Sequence, residues 1–246
     1  MKEKVENPWK KTDRPNFYLE EDAKKIKVFN ESLGKHPLYI DLELMPEPYI
    51  GNPKANVIFL FTNPGLKGNE NDNYEKFPDF RKVLEKNLTH DNTDYPYFYL
   101  DPKFEKTDGG KWIRKRMSKI IDKIGDKELS EKIFTIQLHP YHSNEFKEFK
   151  EPLEGHNYSM HLLSEAIKRK ALIVFTRSHS EWDSAYSKFD NTVKELKKII
   201  GNNFIQLRTP NKKTTPRSPF FIESYMGEEN FKKLINKLKE PLQPSL

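Results

Sequence analysis

Residues 48–66, PYIGNPKANVIFLFTNPGL, decide how the rest of the chain is read. The middle of this stretch, Val57-Ile58-Phe59-Leu60-Phe61, is a short apolar run of β-branched and aromatic residues bounded by turn formers. Such a run reads as a strand buried on both faces, as in a parallel sheet. It passes directly into Thr62-Asn63-Pro64-Gly65, a tight turn at the strand's carboxyl end. In open α/β sheets that edge is where ligands bind, at a switch in strand order. Taken alone, Asn-Pro-Gly is also ordinary turn chemistry with no function attached.

Three further apolar runs follow: 133–138 (IFTIQL), 171–175 (ALIVF) and 203–207 (NFIQL). Helical spacing lies between them. Ile113, Met117, Ile120, Ile121 and Ile124 share one face of a helix over 112–124, with Gly125 placed as its cap. Its other face carries Lys111, Arg114, Lys115, Arg116, Lys119 and Lys123. Further helices are expected over 20–30 and 159–170, through Phe80, Val83, Leu84 and Leu88, through Phe189, Val193, Leu196 and Ile200, and through Phe231, Leu234, Ile235 and Leu238. Four strands separated by helices imply a parallel sheet covered on both faces. The expected organisation is one domain: an N-terminal extension over 1–47, then an α/β core over 48–240 with an aromatic insertion at 67–111.

The totals narrow the classes. A chain of 246 residues suits one α/β domain. The net charge of +6 suits a polyanionic partner, although dispersed surface lysines would give the same total. With no cysteine, disulfides, thiolate zinc sites and cysteine-bound iron–sulfur clusters are excluded. No stretch approaches 18 consecutive apolar residues and the N-terminus MKEKVENPWKK lacks the apolar core of a signal peptide, so a soluble, cytoplasmic protein is expected. There is no Gly-x-Gly-x-x-Gly, no phosphate-binding Gly-Lys-Ser/Thr loop and no Gly-x-Ser-x-Gly elbow, which disfavours a nucleotide-dependent enzyme or a serine hydrolase.

The run Pro48-Tyr49-Ile50-Gly51-Asn52-Pro53, then Ala55-Asn56-Val57, the strand, and Asn63-Pro64-Gly65-Leu66 resembles the uracil-DNA glycosylase superfamily. The closest likeness is to its mismatch-specific branch, whose first motif reads Gly-hydrophobic-Asn-Pro-Gly-Leu. Phe61 and Thr62 stand where that branch has Gly and a hydrophobic residue, so the match starts at Asn63. The resemblance implies a three-layer α/β/α sandwich around a four-stranded parallel sheet in the order 2-1-3-4. It also implies monofunctional hydrolysis of a base–sugar bond in DNA, by a monomer without metal or other cofactor and without a membrane partner.

By that resemblance Asn63 holds the attacking water; its other reading is an Asn capping its own turn. Gln137 lines up with the Asn by which several members read uracil, and a primary amide both accepts and donates; alternatively it satisfies backbone at the end of the sheet. Many members place a His after the fourth strand to stabilise the leaving base, whereas here the place is taken by Arg208-Thr209-Pro210-Asn211. Thr209 offers a neutral donor and Arg208 a charged one, a departure that bears directly on activity toward plain uracil. Pro64, Gly65 and His142 are further substrate-contacting candidates. Tyr97, Phe98 or Tyr99 is expected to stack on an extruded base, with Phe98 the choice among them. His139 and His142 suit polar lining better than a metal. Lys212, Lys213 and Arg217 are placed to grip phosphates, or are a solvated loop. The rival functions are a non-enzymatic nucleic-acid or modified-base binding module on the same fold, and a nucleosidase acting on small molecules.

Overall fold

The computed structural model describes residues 5–10, 17–33, 38–66, 71–91, 93–145, 149, 152–176, 178–207, 221 and 223–242. In chain order the elements are α1 (Glu20–Glu31), β1 (Ile40–Asp41), β2 (Tyr49–Gly51), β3 (Val57–Phe61), α2 (Asn71–Lys76), α3 (Phe80–Thr89), α4 (Asp108–Ile124), α5 (Asp126–Lys132), β4 (Ile133–Gln137), β5 (His142–Ser143), α6 (Glu154–Lys168), β6 (Leu172–Phe175), α7 (His179–Phe189), α8 (Leu196–Ile200), β7 (Phe204–Gln206), α9 (Glu223–Met226) and α10 (Glu228–Lys239).

The chain is α/β, and among the described residues its main sheet is mixed and five-stranded, in the order β2-β4-β3-β6-β7. β3 pairs in parallel with β4 and with β6, and β6 in parallel with β7. β2 runs antiparallel to β4 along the outer edge. This corrects the expectation of a four-stranded, wholly parallel sheet. Tyr49-Ile50-Gly51 lies between prolines and is too short to show a period, so sequence patterning could not mark it as a strand. Gly51 takes φ +107°, and a Cβ there would stand 2.6 Å from the Ile133 carbonyl oxygen, so only glycine lets the edge strand close on β4.

Helices cover both faces. β3, β4 and β6 are buried almost throughout, which explains why their sequences are continuously apolar. One face meets α4, whose Ile113, Met117 and Ile120 are buried, and α10, which packs on both α4 and β3. α4 starts four residues before the expected Trp112, because the Thr107 hydroxyl accepts from the Gly110 amide at 3.0 Å and caps it. The other face meets α6, with α1 and α7 packed against it. Trp9, Leu19, Ile26, Ile40 and Met45 are buried in this same core, so the first 47 residues contribute to it directly.

The helix expected through Phe189 to Ile200 is two helices. α7 ends at Phe189, and the Asp190 carboxylate accepts from the Thr192 amide (3.1 Å) and hydroxyl (2.6 Å), closing a turn before α8. Among the described residues, no helix is long and apolar enough to cross a membrane.

Candidate active site

The parallel strands all end at one edge, and there the chain opens a cleft of about 320 Å³. Its lining comes from the turn after β3, the last residues of β4, Thr176 after β6, and the first turns of α4. Parallel register sets Phe61 opposite Gln137 and Phe59 opposite Thr135, so the four side chains share the α4 face of the sheet. On that face the Phe61 ring meets the edge of Trp112, at 5.6 Å between centroids.

Asn63 stands in the turn after β3, half-buried. Its Nδ2 donates to the Ser143 carbonyl (2.8 Å), the Ser143 hydroxyl oxygen (3.0 Å) and the Pro64 carbonyl (3.0 Å). The Ser143 hydroxyl donates in turn to the Glu145 carbonyl at 2.9 Å, so it can only accept from Asn63. With acceptors on one side, the amide orientation is fixed by the network. Oδ1 faces the other way, where it accepts from the Thr62 hydroxyl at 3.1 Å and keeps one lone pair. Ser143 is itself held by the short ladder of β5 with β1. Asn63 therefore does close its own turn, while its carbonyl retains capacity for a further donor.

Gln137, the last residue of β4, is 7% exposed. Its backbone amide donates to the Pro48 carbonyl at 2.8 Å, and its side chain lines the cleft. Oε1 is buried and lacks a hydrogen-bond partner. Buried amide oxygens are nearly always paired, so this one is a polar group that the described residues leave unsatisfied.

His142 lines the same cleft. Its Nδ1 lies 2.8 Å from the Gly65 carbonyl and its Nε2 3.2 Å from the Met45 carbonyl, with Glu47 Oε1 at 3.8 Å. The ring thus braces the Asn-Pro-Gly turn against the segment before β2. Pro64 and Gly65 also border the opening. His139, three residues earlier, is buried in the core against Phe149, and burial beside His156 holds its ring down at about 3. Among the described residues, no group of three or more His, Asp or Glu is placed to hold a metal ion.

Phe98 does not reach the cleft. It is fully buried, with Phe80 at 6.0 Å and Tyr99 at 4.3 Å, because the 3-10 turn Phe98–Leu100 points it into the core. Its neighbours Tyr97 and Tyr99 take the lining positions instead. Tyr97 shares a hydrogen bond of 3.0 Å with Thr135, and the Tyr99 hydroxyl donates to Glu47 at 2.7 Å. Burial, reinforced by the Glu47 carboxylate, pushes the Tyr99 hydroxyl well above its ordinary range, so it remains a donor.

Glu47, Thr135 and Trp112 are lining residues that the sequence reading left out. One signal pointed to Thr135: it lies two residues before Gln137, hence on the same strand face. Arg208, Thr209, Lys212, Lys213 and Arg217 lie outside the described residues. On α4, Lys111, Lys115, Lys119 and Lys123 are exposed, but Arg114 turns inward to pair with Asp126 at 2.8 Å. No family model matches the chain, and neither a curated protein nor a solved structure matches it.

Proposed function

We propose that the chain hydrolyses the bond between a base and its sugar in DNA, with the base drawn out of the helix into the cleft. The observation that carries this reading is the pairing of two primary amides at one mouth. Asn63 is locked with one lone pair of its carbonyl uncommitted, available to hold a water, and Gln137 lines the cleft with a buried, unpartnered amide oxygen. The run of parallel strands β4-β3-β6-β7 and the resemblance of the Asn63-Pro64-Gly65-Leu66 turn to uracil-DNA glycosylases support it.

The chemistry needs little from the protein beyond placement. As the C1′–N bond stretches, the sugar becomes oxocarbenium-like and a water must already lie beside C1′. Asn63 Oδ1 accepts one hydrogen of that water and aims its lone pair; an amide cannot take the proton, which passes to solvent. Aromatic side chains flank the base, as an unstacked base requires. The exposed lysines along α4 supply the attraction for phosphate outside the cleft.

The test is single-turnover release from oligonucleotides carrying different modified bases, scored as abasic sites. Asn63→Ala should lose about 10²–10³ in rate while DNA binding stays near wild type, since the lost contact serves the transition state. Unchanged release by Asn63→Ala would overturn the mechanism. Binding without release by the wild-type chain would mark a base-binding module instead.

A further inference from the structure

The walls of the cleft say what kind of base it takes. The described lining residues include two carboxylates, Glu47 and Asp108, and no Lys or Arg. Six aromatic rings share the space: Phe61, Tyr74, Phe80, Tyr97, Tyr99 and Trp112. Several of the hydroxyls around them are engaged within the protein. Tyr99 donates to Glu47 at 2.7 Å, Thr176 donates to the Leu60 carbonyl at 2.7 Å, and one of the Tyr97 and Thr135 hydroxyls donates to the other at 3.0 Å. The amide protons of Asn63 go to Ser143 and Pro64. The buried oxygen of Gln137 adds a further acceptor beside the two carboxylates.

A wall of acceptors, carboxylate and π-faces complements a ligand with N–H donors and positive charge. Uracil is a poor fit, since its reading edge carries two carbonyl acceptors around a single N–H. An anionic phosphate would be repelled, and a space of about 320 Å³ lies at the small end for ligand sites. Resting on the glycosidase reading above, we infer that the cleft selects a positively charged, amino-bearing base, a ring-N-alkylated purine, and that Glu47 is the residue that determines this choice. The bond chemistry then balances without an anion stabiliser. The C1′–N electron pair goes to the cationic ring and leaves a neutral base. Water adds its oxygen to C1′, and its proton is released to solvent. Such a base asks nothing of the position after β7 where glycosylases that expel uracil keep a stabilising His.

Binding of free nucleosides to the full chain by calorimetry tests the selection apart from catalysis, using 7-methylguanosine in its cationic form, guanosine and uridine. The expected order of affinity is 7-methylguanosine, then guanosine, then uridine, with about tenfold to a hundredfold between first and last. Glu47→Gln, which keeps the shape and can still accept from Tyr99, should shrink that ratio at least tenfold. Uridine bound as tightly as 7-methylguanosine, or no binding of either, overturns the inference, and the wild-type ratio decides the matter even where Glu47→Gln does not fold. Release of base from duplexes holding 7-methyl-2′-deoxyguanosine or 2′-deoxyuridine then separates the two readings. The selective order without any release refutes the glycosidase alone; release of uracil in preference to 7-methylguanine refutes the selection alone.

Discussion

A carbonyl oxygen buried without a hydrogen bond costs the folded state about 1–3 kcal/mol. Gln137 Oε1 carries that cost at the carboxyl end of β4. Replacing Gln137 with Leu removes the unpaired oxygen and keeps the volume. Urea unfolding should therefore show no loss of stability and a gain of about 1 kcal/mol, while affinity for any base falls. A loss of stability would mean that the amide serves the fold. The contrast with Asn63 is one of use: its amide protons are all engaged, so Asn63→Ala should cost stability as well as rate. Both residues were marked in the sequence by their place near the ends of the first two apolar runs and by the resemblance of the Asn-Pro-Gly turn. Glu47 was not. Its carboxylate meets Tyr99, 52 positions away, and no local pattern records such a meeting.

Among the elements, α6 depends on a cap that another helix supplies. Asp22 of α1 accepts from the Glu154 amide at 2.6 Å, the Gly155 amide at 3.3 Å and the Tyr141 hydroxyl at 2.9 Å. Asp22→Ala leaves these donors without their acceptor at a buried helix start, and should cost at least about 2 kcal/mol in denaturant unfolding. A change under half of that would show that water takes over the cap. Asp22 reads in the sequence as one of three acids opening α1, the ordinary complement to a helix dipole. Its partners lie more than 100 positions downstream, so the cap was invisible there. The same cause hides β2, which is defined by pairing with β4 and by the conformation of Gly51. By contrast β3, β4 and β6 were legible, since strands buried on both faces are apolar without interruption.

At the scale of the whole molecule, two buried histidines give acid a destabilising direction. His139 is held at about 3 and His90 at about 4, both chiefly by burial, against about 6.5 for an unfolded chain. The unfolded state therefore binds protons that the folded state refuses. Stability should be level above the unfolded value and fall as pH drops from there toward the folded values, by at most about 1.4 kcal/mol per pH unit for each such ring. His90 sits at φ 59°, and Asn tolerates that backbone, so His90→Asn should make the decline in melting temperature visibly shallower. An identical slope would assign the acid response elsewhere. The α/β class and the common edge for Asn63 and Gln137 were legible in order of strands and turns. The N-terminal residues in the core were not, since Trp9 and Leu19 carry no periodic pattern until α1 is packed. The lock on Asn63 also has a history in time. Its acceptor Ser143 lies 80 positions later in the chain, so on a ribosome adding roughly 5–20 residues per second the turn emerges on the order of ten seconds before the residue that holds it. A nascent chain that stalls between the two carries the complete Asn-Pro-Gly sequence, yet lacks the partner that fixes the Asn63 amide.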